Sequence, residues 1–103
     1  MSVRVALSPA AERDLEEIGD YVAAEFGSNT AYNVIRRIRA KIDLLRDHPL
    51  LGMEDERIGN RRRLVARPYL IAYRIAKPSE VEILRIVHGA RDLGLVFPPD
   101  DPN

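Results

Sequence analysis

Two apolar stripes of helical period stand back to back in this chain, parted only by Gly27-Ser28-Asn29-Thr30, and no other feature limits the fold as much. In the first stripe Ala11, Leu15, Ile18, Val22 and Phe26 recur every three or four positions, which aligns them on one face of a helix over residues 9–26. Ser8 before Pro9 supplies an N-cap followed by the residue best suited to the first helical position. Glu12, Asp14, Glu16 and Glu17 crowd the positive end of the helix, and Gly27 stops it. In the second stripe Ala31, Val34, Ile35, Ile38, Ile42 and Leu45 keep the same period until His48-Pro49, with Ser28, Asn29 and Thr30 as candidate N-caps. So short a connection leaves the helices only as antiparallel neighbours, an αα-hairpin.

The rest of the chain changes period. Val3, Val5 and Leu7 alternate as in a half-buried strand. Residues 50–60, punctuated by Gly52 and Gly59, show no apolar period and read as a loop. Residues 62–67, 69–76 and 81–88 are written in β language, the last two joined by the turn Lys77-Pro78-Ser79-Glu80. The expected fold is α+β, in the order β-α-α-β-β-β: a small antiparallel-rich sheet with the helical hairpin on one face and the opposite face open. A length of 103 residues allows one domain, assigned to residues 1–94. Residues 95–103, rich in proline and aspartate, form a tail expected to be flexible unless a partner holds it.

Composition removes several classes of function. Sixteen Lys and Arg balance sixteen Asp and Glu, so overall charge does not describe a histone-like nucleic-acid binder. The absence of cysteine removes disulfides, thiolate nucleophiles and Cys-based zinc sites, and suits a reducing cytoplasm. No long apolar run suggests a signal peptide or a membrane span. With two histidines, no paired ligand spacing and no Gly-rich phosphate loop, neither a metal nor a cofactor is expected.

Charge is unevenly spread along this neutral chain. Residues 10–26 carry six acids and one arginine, and residues 30–47 carry five bases and two acids, a pattern that two solvated helix faces explain. The densest signal is Arg57, Arg61, Arg62, Arg63 and Arg67, five guanidinium groups with no acid between them. Their planar forks suit phosphate or carboxylate, so a nucleic-acid surface, a docking patch for an acidic protein segment and a solvated strand edge all fit. Strict alternation puts Arg85 in a row with Val81, Ile83 and Val87, where it requires a partner, either an acid of the first helix or Asp92. His88 closes the last strand, where a hydrogen-bonded structural role is favoured over that of a general base, and no hydrolase triad is completed. Tyr69 and Tyr73 share a strand face, with core packing favoured over base stacking.

Four stretches, in this order, resemble the toxin half of a ParE-type toxin–antitoxin pair of the RelE/ParE superfamily. They are Leu7-Ser8-Pro9-Ala10-Ala11-Glu12-Arg13-Asp14-Leu15; His48-Pro49 with Gly52; Arg61-Arg62-Arg63-Leu64 with Tyr69-Leu70-Ile71-Ala72-Tyr73-Arg74; and Val81-Glu82-Ile83-Leu84-Arg85-Ile86-Val87-His88-Gly89-Ala90-Arg91-Asp92. The resemblance spans about residues 3–93 and implies a small cytoplasmic bacterial toxin, a device of growth arrest and plasmid maintenance. It further implies a hetero-oligomer with a ParD-like antitoxin whose C-terminal segment wraps the sheet and the hairpin. ParE-type members are associated with poisoning DNA gyrase, whereas RelE-type relatives cut messenger RNA on the ribosome.

The expectation is therefore a non-enzymatic gyrase inhibitor, with neither catalytic residues nor specific DNA binding by the toxin alone. The alternatives are a ribosome-dependent endoribonuclease, for which Arg63, Arg85 and His88 would form the catalytic set, and a degenerate toxin that only binds its antitoxin. His88 is followed by Gly89 rather than an aromatic residue, a departure from the RNA-cutting pattern. Candidate partner-binding residues are Arg57, Arg61, Arg62, Arg63, Arg67, Tyr69, Tyr73, Arg85, His88 and Arg91. Where the antitoxin crosses the arginines it should be acidic or amphipathic, and where it covers the sheet face and hairpin groove it should be apolar.

Overall fold

Ser8 opens the first helix as its sequence demands. Its Oγ accepts the Ala11 N–H at 3.0 Å, Pro9 follows at the first helical position, and helix α1 runs Pro9–Phe26. The structure is a computed structural model and describes residues 2–59 and 61–90. Gly27, at φ 96°, is at once the C-cap of α1 and the N-cap of α2 (Ser28–Leu44). A side chain would disfavour that φ, so one glycine reverses the chain, and Ser28, Asn29 and Thr30 lie inside α2 rather than capping it. The predicted stripes face inward: Ala11, Leu15, Val22, Ala31, Ile38, Ile42 and Leu45 are buried. Full burial of an Ile or Leu contributes about 1.5–3 kcal/mol, so these faces dominate the local energetics. Phe26, the last residue of its stripe, projects from the hairpin tip and is exposed.

The strands β1 (Arg4–Leu7), β2 (Met53–Asp55), β3 (Arg61–Ala66), β4 (Tyr69–Lys77) and β5 (Glu80–His88) form one sheet in the order β1-β5-β4-β3-β2. β1 runs parallel to β5, and every other pair is antiparallel. The α+β expectation holds, with one strand more than expected. Residues 50–60 are not all loop, since Met53–Asp55 pairs with β3 and Glu56–Ile58 forms a 3₁₀ turn. Asn60 of the predicted loop and the tail of residues 95–103 lie outside the described residues.

The helices cover one face of the sheet, where Leu64, Ala66, Tyr69, Ile71, Tyr73, Val81, Ile83 and Ile86 join them in the main core. The other face is not fully open, because Ile58 of the 3₁₀ turn is buried there with Ala72 and Val87. Strict alternation along β5 fails at Leu84. Tyr73 pairs with Ile83 but Ala72 pairs with Arg85, so Leu84 is the extra residue of a β-bulge. The bulge separates Arg85 and Val87 from Ile83, and it brings Ile86 to the core beside Ile83 and Val81.

One anchor fixes the connection after α2. The Tyr73 hydroxyl donates to the Pro49 carbonyl at 2.8 Å and accepts the Gly52 N–H at 2.8 Å. Gly52 has no room for a Cβ, which would stand 2.6 Å from Tyr73 Cε1 and 2.7 Å from the Arg63 carbonyl. Arg62 closes the same loop, its Nη1 donating to the Gly52 carbonyl at 2.6 Å. This network ties Pro49, Gly52, Arg62 and Tyr73 together.

Candidate protein-interaction surface

Strand pairing changes the meaning of the arginine run. The β2–β3 register sets Asp55 opposite Arg61 and Glu54 opposite Arg62, so acids lying just before the run offset part of its charge. Asp55 is buried and takes two cations. Arg57 grips it through Nε and Nη2, at 3.0 Å to Oδ1 and 2.6 Å to Oδ2, and Arg63 Nε lies 3.1 Å from Oδ2. Hydrogen bonds from Arg57 hold the Asp55 carboxyl below its ordinary value of 3.8, against the opposing effect of burial. Arg61 donates to the Ile58 carbonyl at 2.9 Å, and Arg62 Nη2 lies 3.6 Å from Glu54. Arg57, Arg61, Arg62 and Arg63 thus each engage acids or carbonyls of the β2 edge or the turn beside it.

Arg67 behaves differently. It is exposed and borders a groove of about 690 Å³ between α2 and the end of β3. Ala40, Leu44, Val65 and Ala66 give this groove an apolar floor, and Arg37, Lys41 and Arg67 give it a basic rim. Beyond β2 the outer edge of β3 has no neighbouring strand from Leu64 to Ala66 among the described residues, and the adjoining surface exposes Leu51 and Met53. Arg37 and Lys41 were passed over in the sequence because their helix reads as a solvated face. Their charge acquires meaning only beside an apolar floor drawn from another element.

At the other end of the sheet β1 stops at Leu7, and side chains of α1 and its cap take its place along β5. Ser8 Oγ donates to the Leu84 carbonyl at 2.9 Å, and Asp14 Oδ2 accepts the Ile86 N–H at 2.8 Å. The same carboxylate takes Arg85 in a fork, 2.7 Å from Nε and 3.0 Å from Nη2. An acid of the first helix is thus the partner that Arg85 requires, and its hydrogen bonds push the guanidinium pKa further up. Asp92, the other acid weighed for this role, lies outside the described residues, as does Arg91.

His88 pairs with Tyr69 across β5 and β4, and their rings meet edge to face at 5.6 Å. His88 Nδ1 accepts the Ala90 N–H at 3.1 Å. Tyr69 is buried and its pKa is raised, by burial first and by Tyr21 second. Burial likewise raises Tyr73, which has no exposed surface and packs in the core.

The structure brings together only part of the conditional catalytic set. Arg63 and Arg85 lie in one register row through Ala72; Asp14 holds Arg85 in a fork, whereas Arg63 shares Asp55 with Arg57 and its buried Nε has no hydrogen-bond partner among the described residues. His88 stands at the end of β5 beside Tyr69 of the helix-covered core.

A helical hairpin on a mixed five-stranded sheet is the RelE/ParE class of toxin fold. Two solved structures share it. The chromosomal ParDE system from P. aeruginosa superposes with a TM-score of 0.74 at 24% identity, covering 84% of this chain and 96% of that one. The RelBE2 toxin–antitoxin complex from Mycobacterium tuberculosis superposes at 0.66 with 21% identity, covering 85% and 99%. Fold alone does not separate the two branches, but sequence does. Toxin ParE1 of Mycobacterium tuberculosis is 32% identical over 94 residues, which are 90% of this chain and 96% of that protein. The family model "ParE toxin of type II toxin-antitoxin system, parDE" matches residues 5–93. The chain belongs to this family of ParE toxins of type II toxin–antitoxin systems. Among the described residues no helix is long and apolar enough to cross a membrane.

Proposed function

We propose that this toxin arrests growth by inhibiting DNA gyrase without acting as a ribonuclease, and that a ParD-like antitoxin silences it. The proposed toxin domain is residues 1–94, and its place of action is the cytoplasm, where gyrase works. Family membership supports the target, and the observation that carries the reading against RNA cleavage is the commitment of Arg85 to Asp14. Cleavage by 2′-hydroxyl attack needs cations free to meet a phosphorane, with a proton acceptor and a donor on either side. Here Asp14 holds the Arg85 guanidinium in a fork, Arg63 stands at ion-pair distance from an Asp55 already gripped by Arg57, and His88 stands by the core tyrosine.

The α2–β3 groove is the seat this reading gives the antitoxin. An amphipathic segment would lay apolar side chains on Leu44 and Val65 and acids against Arg37, Lys41 and Arg67. Induction of the toxin alone in its native host tests the reading. Arrest with chromosome breakage and intact messenger RNA is expected, reversed by the antitoxin and retained in His88→Ala. Messenger RNA cleavage that disappears in His88→Ala would overturn it, and absence of arrest would leave a toxin that only binds its antitoxin.

A further inference from the structure

After Ala90, the last described residue, the chain continues through residues 91–103, whose residue types fall in a definite order. Leu93, Leu95, Val96 and Phe97 make an apolar run broken only by Gly94, and Pro98-Pro99 leads from it to Asp100 and Asp101. An apolar run left in water is unfavourable, so such a segment gains from an apolar surface bordered by cations.

The described chain ends at the mouth of such a surface. The Gly89 N–H donates to the Pro68 carbonyl at 2.7 Å, which holds the end of β5 against the turn after Arg67, and Arg67 stands on the rim of the α2–β3 groove. Two further features fit the groove to this segment. Its floor exposes Leu44 and Val65, and the small Ala40 and Ala66 leave room for a large side chain such as that of Phe97. From Arg37 to Leu44 the helix rises roughly 10 Å, and Leu93 to Phe97 spans roughly 13 Å when extended, so floor and apolar run match in length. Among the described residues no salt bridge engages Arg37, Lys41 or Arg67, whereas Arg62, Arg63 and Arg85 each face an acid. The rim therefore has cations available to acids that arrive from elsewhere in the chain.

We propose that residues 93–101 fold back onto this groove, entering beside Arg67, laying the apolar run on the floor and carrying Asp100 and Asp101 to the rim at Lys41. Pro98 and Pro99, with φ fixed by their rings, keep the chain extended between the two parts. The toxin then covers its own groove when alone. A partner that needs the groove binds only the fraction of molecules in which it is open, which lowers the apparent affinity by that fraction. This consequence for the antitoxin rests on the seat proposed above, whereas the docking itself does not.

The chain contains no cysteine, so Asn103→Cys provides a single thiol for a nitroxide label beyond the docking segment. In the isotopically labelled full-length chain, NMR line broadening is expected at the amides of Lys41, Leu44 and Val65, and reduction of the nitroxide should remove it. Replacing Leu95 and Phe97 together with serine should abolish the broadening, and circular dichroism of the variant separates loss of docking from loss of fold. A mixture of nitroxide-bearing unlabelled chain and isotopically labelled unmodified chain should show none. Three results would overturn the proposal: no broadening at the groove, broadening centred on another face such as Leu70 and Val87, or equal broadening in the mixture, which would make the occupant a second copy. Stopped-flow mixing with the antitoxin adds an independent arm, in which the double serine variant should associate about threefold faster or more, because its groove is open. Groove broadening with an unchanged antitoxin on-rate supports the docking and overturns the seat given to the antitoxin.

Discussion

Replacing Asp14 with alanine should be among the most damaging single changes outside the apolar core, and its size follows from three hydrogen bonds. The Asp14 carboxylate holds Arg85 through two contacts of 2.7 and 3.0 Å and the Ile86 N–H through a third of 2.8 Å. Leaving the buried N–H without an acceptor costs about 1–3 kcal/mol. Breaking a fully buried ion pair costs about 3–5 kcal/mol, but the Arg85 side chain is 28% exposed, so water recovers part of that loss. The expected total is about 3 kcal/mol, or a fall in Tm of roughly 12–24 °C for a domain of this size. Asp14→Asn keeps a carbonyl for the Ile86 N–H and loses only the charge, so it should cost about 1–2 kcal/mol. Urea unfolding followed by circular dichroism gives both values, and a double-mutant cycle with Arg85→Met isolates the coupling, expected at about 1–2 kcal/mol. Equal losses in the alanine and asparagine variants would refute the role assigned to the Ile86 N–H. A coupling near zero would refute the fork itself.

Tyr73→Phe should cost about 1–3 kcal/mol by orphaning the Gly52 N–H and the Pro49 carbonyl, and Gly52→Ala should cost more, because its Cβ meets the Arg63 carbonyl at 2.7 Å; equilibrium unfolding of both variants checks the order. Asp55 has a folded pKa below 3.8, so it contributes stability that is present above that value and lost as pH falls through the lowered one. Wild type should therefore exceed Asp55→Asn in stability at neutral pH, and the difference should shrink below pH 3.8, as parallel acid titrations would show. Arg67→Glu should leave stability nearly unchanged but slow association with the antitoxin, and the wild-type on-rate should fall as salt is raised; stopped-flow mixing at several ionic strengths measures both.

The helical hairpin was legible because its signals are local. A Ser-Pro start, two stripes of one period and a glycine between them leave few alternatives, and the structure differs only in using Gly27 for both caps. Strand β2 was not legible, since three residues, Met-Glu-Asp, are too few to show a period and become a strand only by pairing with β3. The bulge at Leu84 leaves no composition signature, so alternation misassigned the faces beyond it. The partner of Arg85 was foreseen because a cation among aliphatic neighbours demands one and the first helix is rich in acids. The pairing of the arginine run was not legible, because counting charge along the chain overlooks acids that a hairpin folds back onto it. The basic rim of the open groove draws on α2 and β3 together, elements that are distant in sequence and so invisible to any local pattern.

The central claim, a gyrase inhibitor that does not cut RNA, is tested most directly by a supercoiling and DNA-cleavage assay with purified toxin, gyrase of the native host and plasmid. Loss of supercoiling or accumulation of linear DNA, reversed by the antitoxin and retained in His88→Ala, is the predicted result. Unimpaired supercoiling at excess toxin, together with messenger RNA cleavage on ribosomes that depends on His88, would contradict it.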